Sequence, residues 1–227
     1  MNCVLPVELR ELEVVAGPLA GTRLLVYPRN ELSFTSGLWE FWVQDALLAN
    51  LQSGDRAWDI GAYIGYFSLL MRRQCGPGKV FALEPDPWNR ARMERILEMN
   101  GIDGIEVIPE AAGARDGFAK LTRYANHPAM TDVGDAGNLT VPIVTLDSLL
   151  EQLGPPRLIK MDVEGAEAEI LRASPRMVGE VRPAWVLELH EKAGEEAVRI
   201  LSAAGYRVRA LNPVERKTHQ QHVLAEL

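Results

Sequence analysis

The residues able to do chemistry cluster where apolar runs give way to turns. Asp59 opens the stretch Asp59-Ile60-Gly61-Ala62-Tyr63-Ile64-Gly65. Glycines at 61 and 65 let the backbone turn sharply and approach a ligand closely, and a helix starting there points its free N–H groups at the same spot. A carboxylate ahead of the turn repels pyrophosphate but tolerates a ligand carrying an amino group and a sulfonium. One strand–helix–strand step later comes Glu84-Pro85-Asp86-Pro87. A carboxylate in that place can accept hydrogen bonds from both hydroxyls of a ribose. The two signals together favour an adenosine ligand without a phosphate chain.

Two further clusters carry proton chemistry. In Leu158-Ile159-Lys160-Met161-Asp162-Val163-Glu164-Gly165-Ala166-Glu167, strand alternation puts Lys160 and Asp162 on one face. Glu164 and Glu167 fall in the first turn of the following helix, where its dipole favours acids. In Leu187-Glu188-Leu189-His190-Glu191, Glu188 and His190 share a face near the same sheet edge. A histidine among acids at a strand end is a candidate proton carrier. Asp162, Glu188 and His190 could instead hold a divalent metal; the sequence reading assigns them no metal.

The elements that must position these groups alternate. Ala57–Ile60, Lys79–Leu83, Ile105–Ile108, Leu158–Met161 and Ala184–Leu189 read as core strands. Helices are expected over Tyr63–Arg73, Pro87–Met99, Leu146–Leu153, Glu164–Ala173 and Glu195–Ala204, with Pro87 and Gly101 as start and stop signals. A further apolar stripe predicts a helix over Gly37–Gln52, and Tyr206–Leu211 with His222–Leu227 suits a terminal antiparallel pair. Leu12–Val15 and Thr22–Tyr27 form a small hairpin, so the chain divides into a cap over 1–36 and one domain over 37–227. Ala119–Tyr124 and Val141–Val144 look extended, around a polar loop from Asn126 to Asn138. This alternation implies an α/β fold, a mostly parallel sheet with helices on both faces. In such sheets ligands bind beyond the carboxyl ends of the strands.

Composition narrows the partners. The 227 residues carry a formal net charge of −7, which disfavours a broad phosphate-binding surface, so no nucleic-acid partner is expected. No apolar run approaches the roughly 20 residues of a membrane helix, and the start lacks a signal peptide. Cys3 and Cys75, too few for a disulfide framework, read as free thiols in a cytoplasmic protein. The patterns G-x-G-x-x-G and G-x-x-x-x-G-K-[ST] are both missing, which argues against a nicotinamide-dependent oxidoreductase and a P-loop enzyme. Trp39, Trp42, Trp58 and Trp185 fall on apolar faces or inside strands and are expected in the core.

These residues resemble the FkbM family of S-adenosylmethionine-dependent methyltransferases. The resemblance runs from Gly37 to about His190 and is carried by Gly37-Leu38-Trp39-Glu40, the Asp59–Gly65 turn with Tyr66-Phe67-Ser68, and Phe81-Ala82-Leu83-Glu84-Pro85. Its most specific pieces are Thr145-Leu146-Asp147-Ser148-Leu149, the run from Ile159 to Glu167, and Leu187-Glu188-Leu189-His190. Tyr63 departs from the family, where asparagine is common.

The resemblance implies a Rossmann-like class I methyltransferase fold, with a seven-stranded sheet ending in an antiparallel pair. It places S-adenosyl-L-methionine against Asp59, Gly61, Ala62, Tyr63 and Gly65 at its methionine end. Glu84 would take the ribose diol, Pro85 would lie against the adenine, and Glu110 with Ala111 would reach the adenine edge. Glu40 would meet the cofactor's amino group, and Asp162 would border the cofactor as well. The expected reaction is O-methylation of a small molecule, sugar or natural product, with His190 or Asp162 as base and Lys160 or Glu188 orienting the acceptor. N-methylation is the alternative, and the oligomeric state is left open.

Overall fold

The computed structural model describes residues 8–124, 127–134, 137–212 and 220–227. The chain starts with a hairpin, β1 (Arg10–Glu13) against β2 (Arg23–Val26), then a single helical turn α1 (Pro28–Glu31) and a 3₁₀ turn, Leu32–Ser36. The main domain continues as α2 (Phe41–Asn50), β3 (Arg56–Ile60), α3 (Tyr66–Cys75), β4 (Lys79–Leu83), α4 (Pro87–Asn100) and β5 (Ile105–Ile108). An accessory stretch follows: β6 (Ala111–Ala112), β7 (Gly117–Tyr124), β8 (His127–Gly134) and β9 (Leu139–Val144). The last part is α5 (Leu146–Leu153), β10 (Leu158–Met161), α6 (Glu167–Arg172), β11 (Ala184–His190), α7 (Glu191–Ala203), β12 (Arg207–Ala210) and β13 (Gln220–Glu226).

Seven strands form one sheet in the order β12-β13-β11-β10-β3-β4-β5, parallel except where β13 runs antiparallel to both β11 and β12. The central strands are buried on both faces, which is why their sequences read as nearly unbroken apolar runs. One face packs Ala57, Val80, Ala82, Leu158 and Val186 against α2, α3, α4 and the hairpin residues Leu24 and Val26. The other packs Trp58, Ile60, Phe81, Ile159 and Trp185 against α5, α6 and α7. The N-terminal hairpin therefore shares a core with the main domain.

Several expectations need correction. The helix expected from Gly37 begins at Phe41, because Gly37 and Glu40 both take left-handed backbone angles that a helix cannot use. Likewise α3 begins at Tyr66, after the left-handed Gly65, and α6 begins at Glu167, after the left-handed Glu164 and Gly165. The polar loop expected over Asn126–Asn138 contains strand β8, paired with β7 in a four-stranded sheet of order β6-β9-β7-β8. A polar strand on a sheet edge lacks the apolar alternation that marks one in sequence. Residues 126, 135 and 136 of that stretch lie outside the described residues, as does Cys3. Cys75 is a buried free thiol, pushed up to about 11 by burial, and is inert at neutral pH.

Candidate active site

Strand register builds the site. Asp59 on β3 pairs with Lys160 on β10, and Glu188 on β11 pairs with His222 on β13. Because side chains alternate, these four project from the same sheet face, the one covered by α2 and α3. Asp162 and His190 follow on the same face just past Lys160 and Glu188. A row of ionisable groups thus crosses the carboxyl end of the sheet, below a cavity of about 270 Å³.

The cavity has two chemically distinct ends. At one, Glu84 and Pro85 follow β4, and Glu110, Ala111 and Ala112 follow β5. Glu84 is 4 % exposed and accepts from the backbone N–H of Tyr63 at 2.8 Å and of Asp86 at 2.9 Å. Burial pushes its carboxyl up to about 7 against the pull of those two donors. Each oxygen keeps lone-pair capacity for a further donor, as a ribose diol would supply. At the other end lie Glu40, Lys160, Asp162, Glu164 and Glu188. Gly61, Ala62 and Tyr63 line the wall between, with Phe34, Trp39, Tyr66 and Phe67.

The turn after β3 is held from three sides. Gly61 has φ +76°, and a Cβ there would come 1.8 Å from the carbonyl oxygen of Asp162, so glycine is needed for the two loops to pass. Lys160 Nζ reaches the Gly61 carbonyl at 3.3 Å, Asp59 at 3.6 Å and Asp162 at 3.7 Å. Burial opposes the Lys160 charge, but Asp59, Asp162, Glu40 and Glu188 together raise its pKa above the usual lysine value. Tyr63, at φ +54°, hydrogen-bonds Glu31 through its hydroxyl and accepts from Arg92 at 3.2 Å. Asparagine tolerates this left-handed backbone readily; here a tyrosine holds it by a tether to the N-terminal segment.

Four sequence-predicted site residues sit differently from expectation. Asp59 is fully buried beneath the cavity, and its carboxylate accepts from Ser68 Oγ at 2.5 Å. Its contacts run to Lys160, at 3.6 Å, and to Ser68 in the first turn of α3. Gly65 also lies behind the wall, where a Cβ would press on Met93. Lys160, expected to orient the acceptor, is occupied in holding the Gly61 turn. His190 sits behind the lining residues, its Nδ1 2.7 Å from Glu167 Oε1 and its Nε2 3.3 Å from Glu164, 3.6 Å from Glu188 and 4.0 Å from Asp162. Burial disfavours its charge, but the Glu167 hydrogen bond and these carboxylates more than offset that and raise it to about 9. His190 thus favours its protonated form at neutral pH, whereas Asp162 faces the cavity.

Sequence reasoning missed His222, Phe34 and the cavity-facing role of Trp39. Trp58 and Trp185 are core residues as expected, but Trp39 packs against Phe34 with tilted rings 4.9 Å apart and lines the cavity. His222 is 4 % exposed, with Nε2 3.2 Å from Glu40 and 3.4 Å from Glu188. Its Nδ1 accepts from Trp42 Nε1 at 3.2 Å, which selects the tautomer with the proton on Nε2. No motif announces His222, because its partners depend on the antiparallel return of β13.

Comparison with known proteins agrees with this architecture. Residues 59–208 match the family described as the methyltransferase FkbM domain. "Methyltransferase 1" of Beauveria bassiana is 25 % identical over 182 residues, 68 % of this chain and 73 % of the relative. The hexuronic acid methyltransferase AglP of Haloferax volcanii is 26 % identical over 164 residues, 70 % of this chain and 66 % of the relative. Among solved structures, the methyltransferase FkbM of Methylobacillus flagellatus superposes with a TM-score of 0.56 at 19 % identity, covering 76 % of this chain and 43 % of that one. The Streptococcus mutans protein SMU.1697c, solved with S-adenosylhomocysteine, gives a TM-score of 0.52 at 13 % identity, covering 82 % of this chain and 96 % of that one. The seven-stranded sheet is that of the class I methyltransferases, and the chain belongs to the FkbM methyltransferase family.

Proposed function

We propose that the protein transfers the methyl group of S-adenosyl-L-methionine to a hydroxyl oxygen of a small molecule, sugar or natural product. The observation that carries this reading is the two-ended cavity. One end offers the buried Glu84 carboxylate beside Pro85, suited to a ribose and its base. The other concentrates Glu40, Asp162, Glu164 and Glu188 against Lys160 and two histidines. That excess of carboxylates suits a ligand whose far end carries an ammonium and a sulfonium. The family membership and a relative named as a hexuronic acid methyltransferase support the acceptor class.

The bound cofactor supplies an electrophilic methyl, so the protein's task is alignment and removal of one proton. Positioning contributes up to roughly 7–11 kcal/mol. Glu84 and the Gly61 turn would fix the nucleoside, and Glu40 would fix the amino group. Asp162, facing the cavity, would receive the acceptor's proton, worth about 10²–10⁴-fold. Glu188, 6 % exposed, would stay behind it as a support. No nucleic-acid or membrane partner is part of this reading, and among the described residues no helix is long and apolar enough to cross a membrane.

The test compares thermal shifts with S-adenosylhomocysteine and with NAD, then follows methyl transfer to a panel of hydroxylated and aminated acceptors. Stabilisation by S-adenosylhomocysteine alone, with turnover lost in Asp162→Ala while its cofactor affinity is kept, is the expected result. Full turnover in Asp162→Ala would overturn the base assignment, and turnover only on amines would replace O- by N-methylation.

A further inference from the structure

Behind the acceptor end of the cavity, three carboxylates gather around one imidazole nitrogen. Asp162 Oδ1, Glu164 Oε2 and Glu188 Oε1 all face His190 Nε2, at 4.0, 3.3 and 3.6 Å. Asp162, Glu188 and His190 can bring their ligand atoms within 4.8 Å of one another. Ligand atoms bound about 2.0–2.2 Å from a common ion lie about 3 Å apart when adjacent and about 4 Å when opposite. The separations from His190 Nε2, 3.3–4.0 Å, are of that size.

The far side of each group is already engaged. Glu167, fully buried, takes His190 Nδ1 at 2.7 Å and is itself held by the Gly165 N–H at 3.0 Å. This fixes a proton on Nδ1 and turns Nε2 towards the three carboxylates, where a cation would displace the second proton that they hold on the ring. His222 Nε2 lies 3.4 Å from the outer oxygen of Glu188, leaving the inner one towards His190. Lys160 lies 3.7 Å from the outer oxygen of Asp162, again leaving the inner one free to face the centre. Metal sites commonly hold their ligands in this way, each by a partner on the side away from the ion.

We infer that Asp162, Glu188 and His190, with Glu164 at the edge, bind a divalent cation, and that Glu167 is the residue orienting the histidine ligand. One imidazole with carboxylates suits manganese, magnesium or zinc better than a soft thiophilic ion. Three or four protein ligands leave coordination positions open towards the cavity, where an acceptor oxygen could enter. The binding claim stands independently of the methyl-transfer reading; only the role of the ion towards an acceptor rests on it.

The experiment dialyses the full-length protein against a chelator, then titrates it with Mn²⁺, following free ion by electron paramagnetic resonance and heat by calorimetry. Mg²⁺ and Zn²⁺ serve as competitors. One saturating site per chain is expected, weakened at least about tenfold in Glu188→Gln and in His190→Ala, and about 10–100-fold in Glu167→Gln. Glu164→Gln, on a partly exposed loop, serves if the buried variants fail to fold, and should weaken binding measurably. Absence of saturable binding of all three ions, or binding undiminished in every folded variant, overturns the site. S-adenosylhomocysteine binding to the chelated protein is measured in parallel. Ion binding without it leaves the metal site standing and refutes the methyltransferase reading, and the reverse refutes only the metal site.

Discussion

Arg92 on α4 donates to both oxygens of Glu31, at 2.6 and 3.2 Å, and each side chain is 2 % exposed. The pair ties the N-terminal segment to the main domain, and the Tyr63 hydroxyl joins it from the cavity wall. The ring of Tyr63 and that of Tyr27 lie 5.3 and 5.0 Å from the guanidinium. Stability of the N-terminal segment and the shape of the Gly61 turn are therefore coupled.

Glu31→Ala strands a buried guanidinium and should cost about 3–5 kcal/mol of unfolding free energy. Tyr63→Phe removes one hydroxyl and should cost about 1–3 kcal/mol. Urea titration checks both. A loss below about 1 kcal/mol for Glu31→Ala would mean that the buried pair is not formed as described.

Gly61→Ala should disturb binding more than folding. The added Cβ meets the Asp162 carbonyl at 1.8 Å, on a residue already at φ +76°, so the two loops must separate. A strain of about 1–3 kcal/mol is expected, and S-adenosylhomocysteine affinity should fall by about tenfold or more in calorimetry. Unchanged affinity would show that the turn does not contact the nucleoside.

Ligand binding should depend on pH through Glu84. Its folded-state carboxyl, at about 7, lies above the ordinary 4.5, so its neutral form stabilises the fold at low pH and that contribution fades as pH rises through 7. A ribose diol donates hydrogen bonds and favours the ionised form, so binding below pH 7 releases a proton. S-adenosylhomocysteine affinity should fall as pH drops from 7.5 to about 5.5, approaching tenfold per unit at the lower end. Calorimetry in two buffers of different ionisation enthalpy counts the proton, and Glu84→Gln should flatten this component.

Thr145 offers a control remote from the ligand. Its Oγ1 accepts from the Ser148 N–H at 3.2 Å and caps α5, while Asp116 accepts from Thr145 N at 2.8 Å and from Ser148 Oγ at 2.6 Å. Thr145→Ala should cost about 1 kcal/mol, with ligand affinity unchanged in the same calorimetric assay.

The sequence by itself determined the order of strands and helices and the acids at the strand ends. Period-2 and period-3.6 apolar patterns are local, so β5, α5 and β10 fall where the pattern put them. Glycine turns and the residues beside them are equally local, which made Glu84, Asp162 and the Gly61 turn legible. What the tertiary structure decided is which of these groups meet, because pairing register and strand direction are long-range. Register alone sets Asp59 beside Lys160 and takes it out of the cavity, and the antiparallel return of β13 brings His222 to Glu40 and Glu188. The folded surroundings then reassign charge: carboxylates around His190 outweigh its burial and hold its proton to about 9, and desolvation carries Glu84 to about 7. Neither the partners nor their protonation could follow from spacing, since both depend on neighbours that only folding supplies.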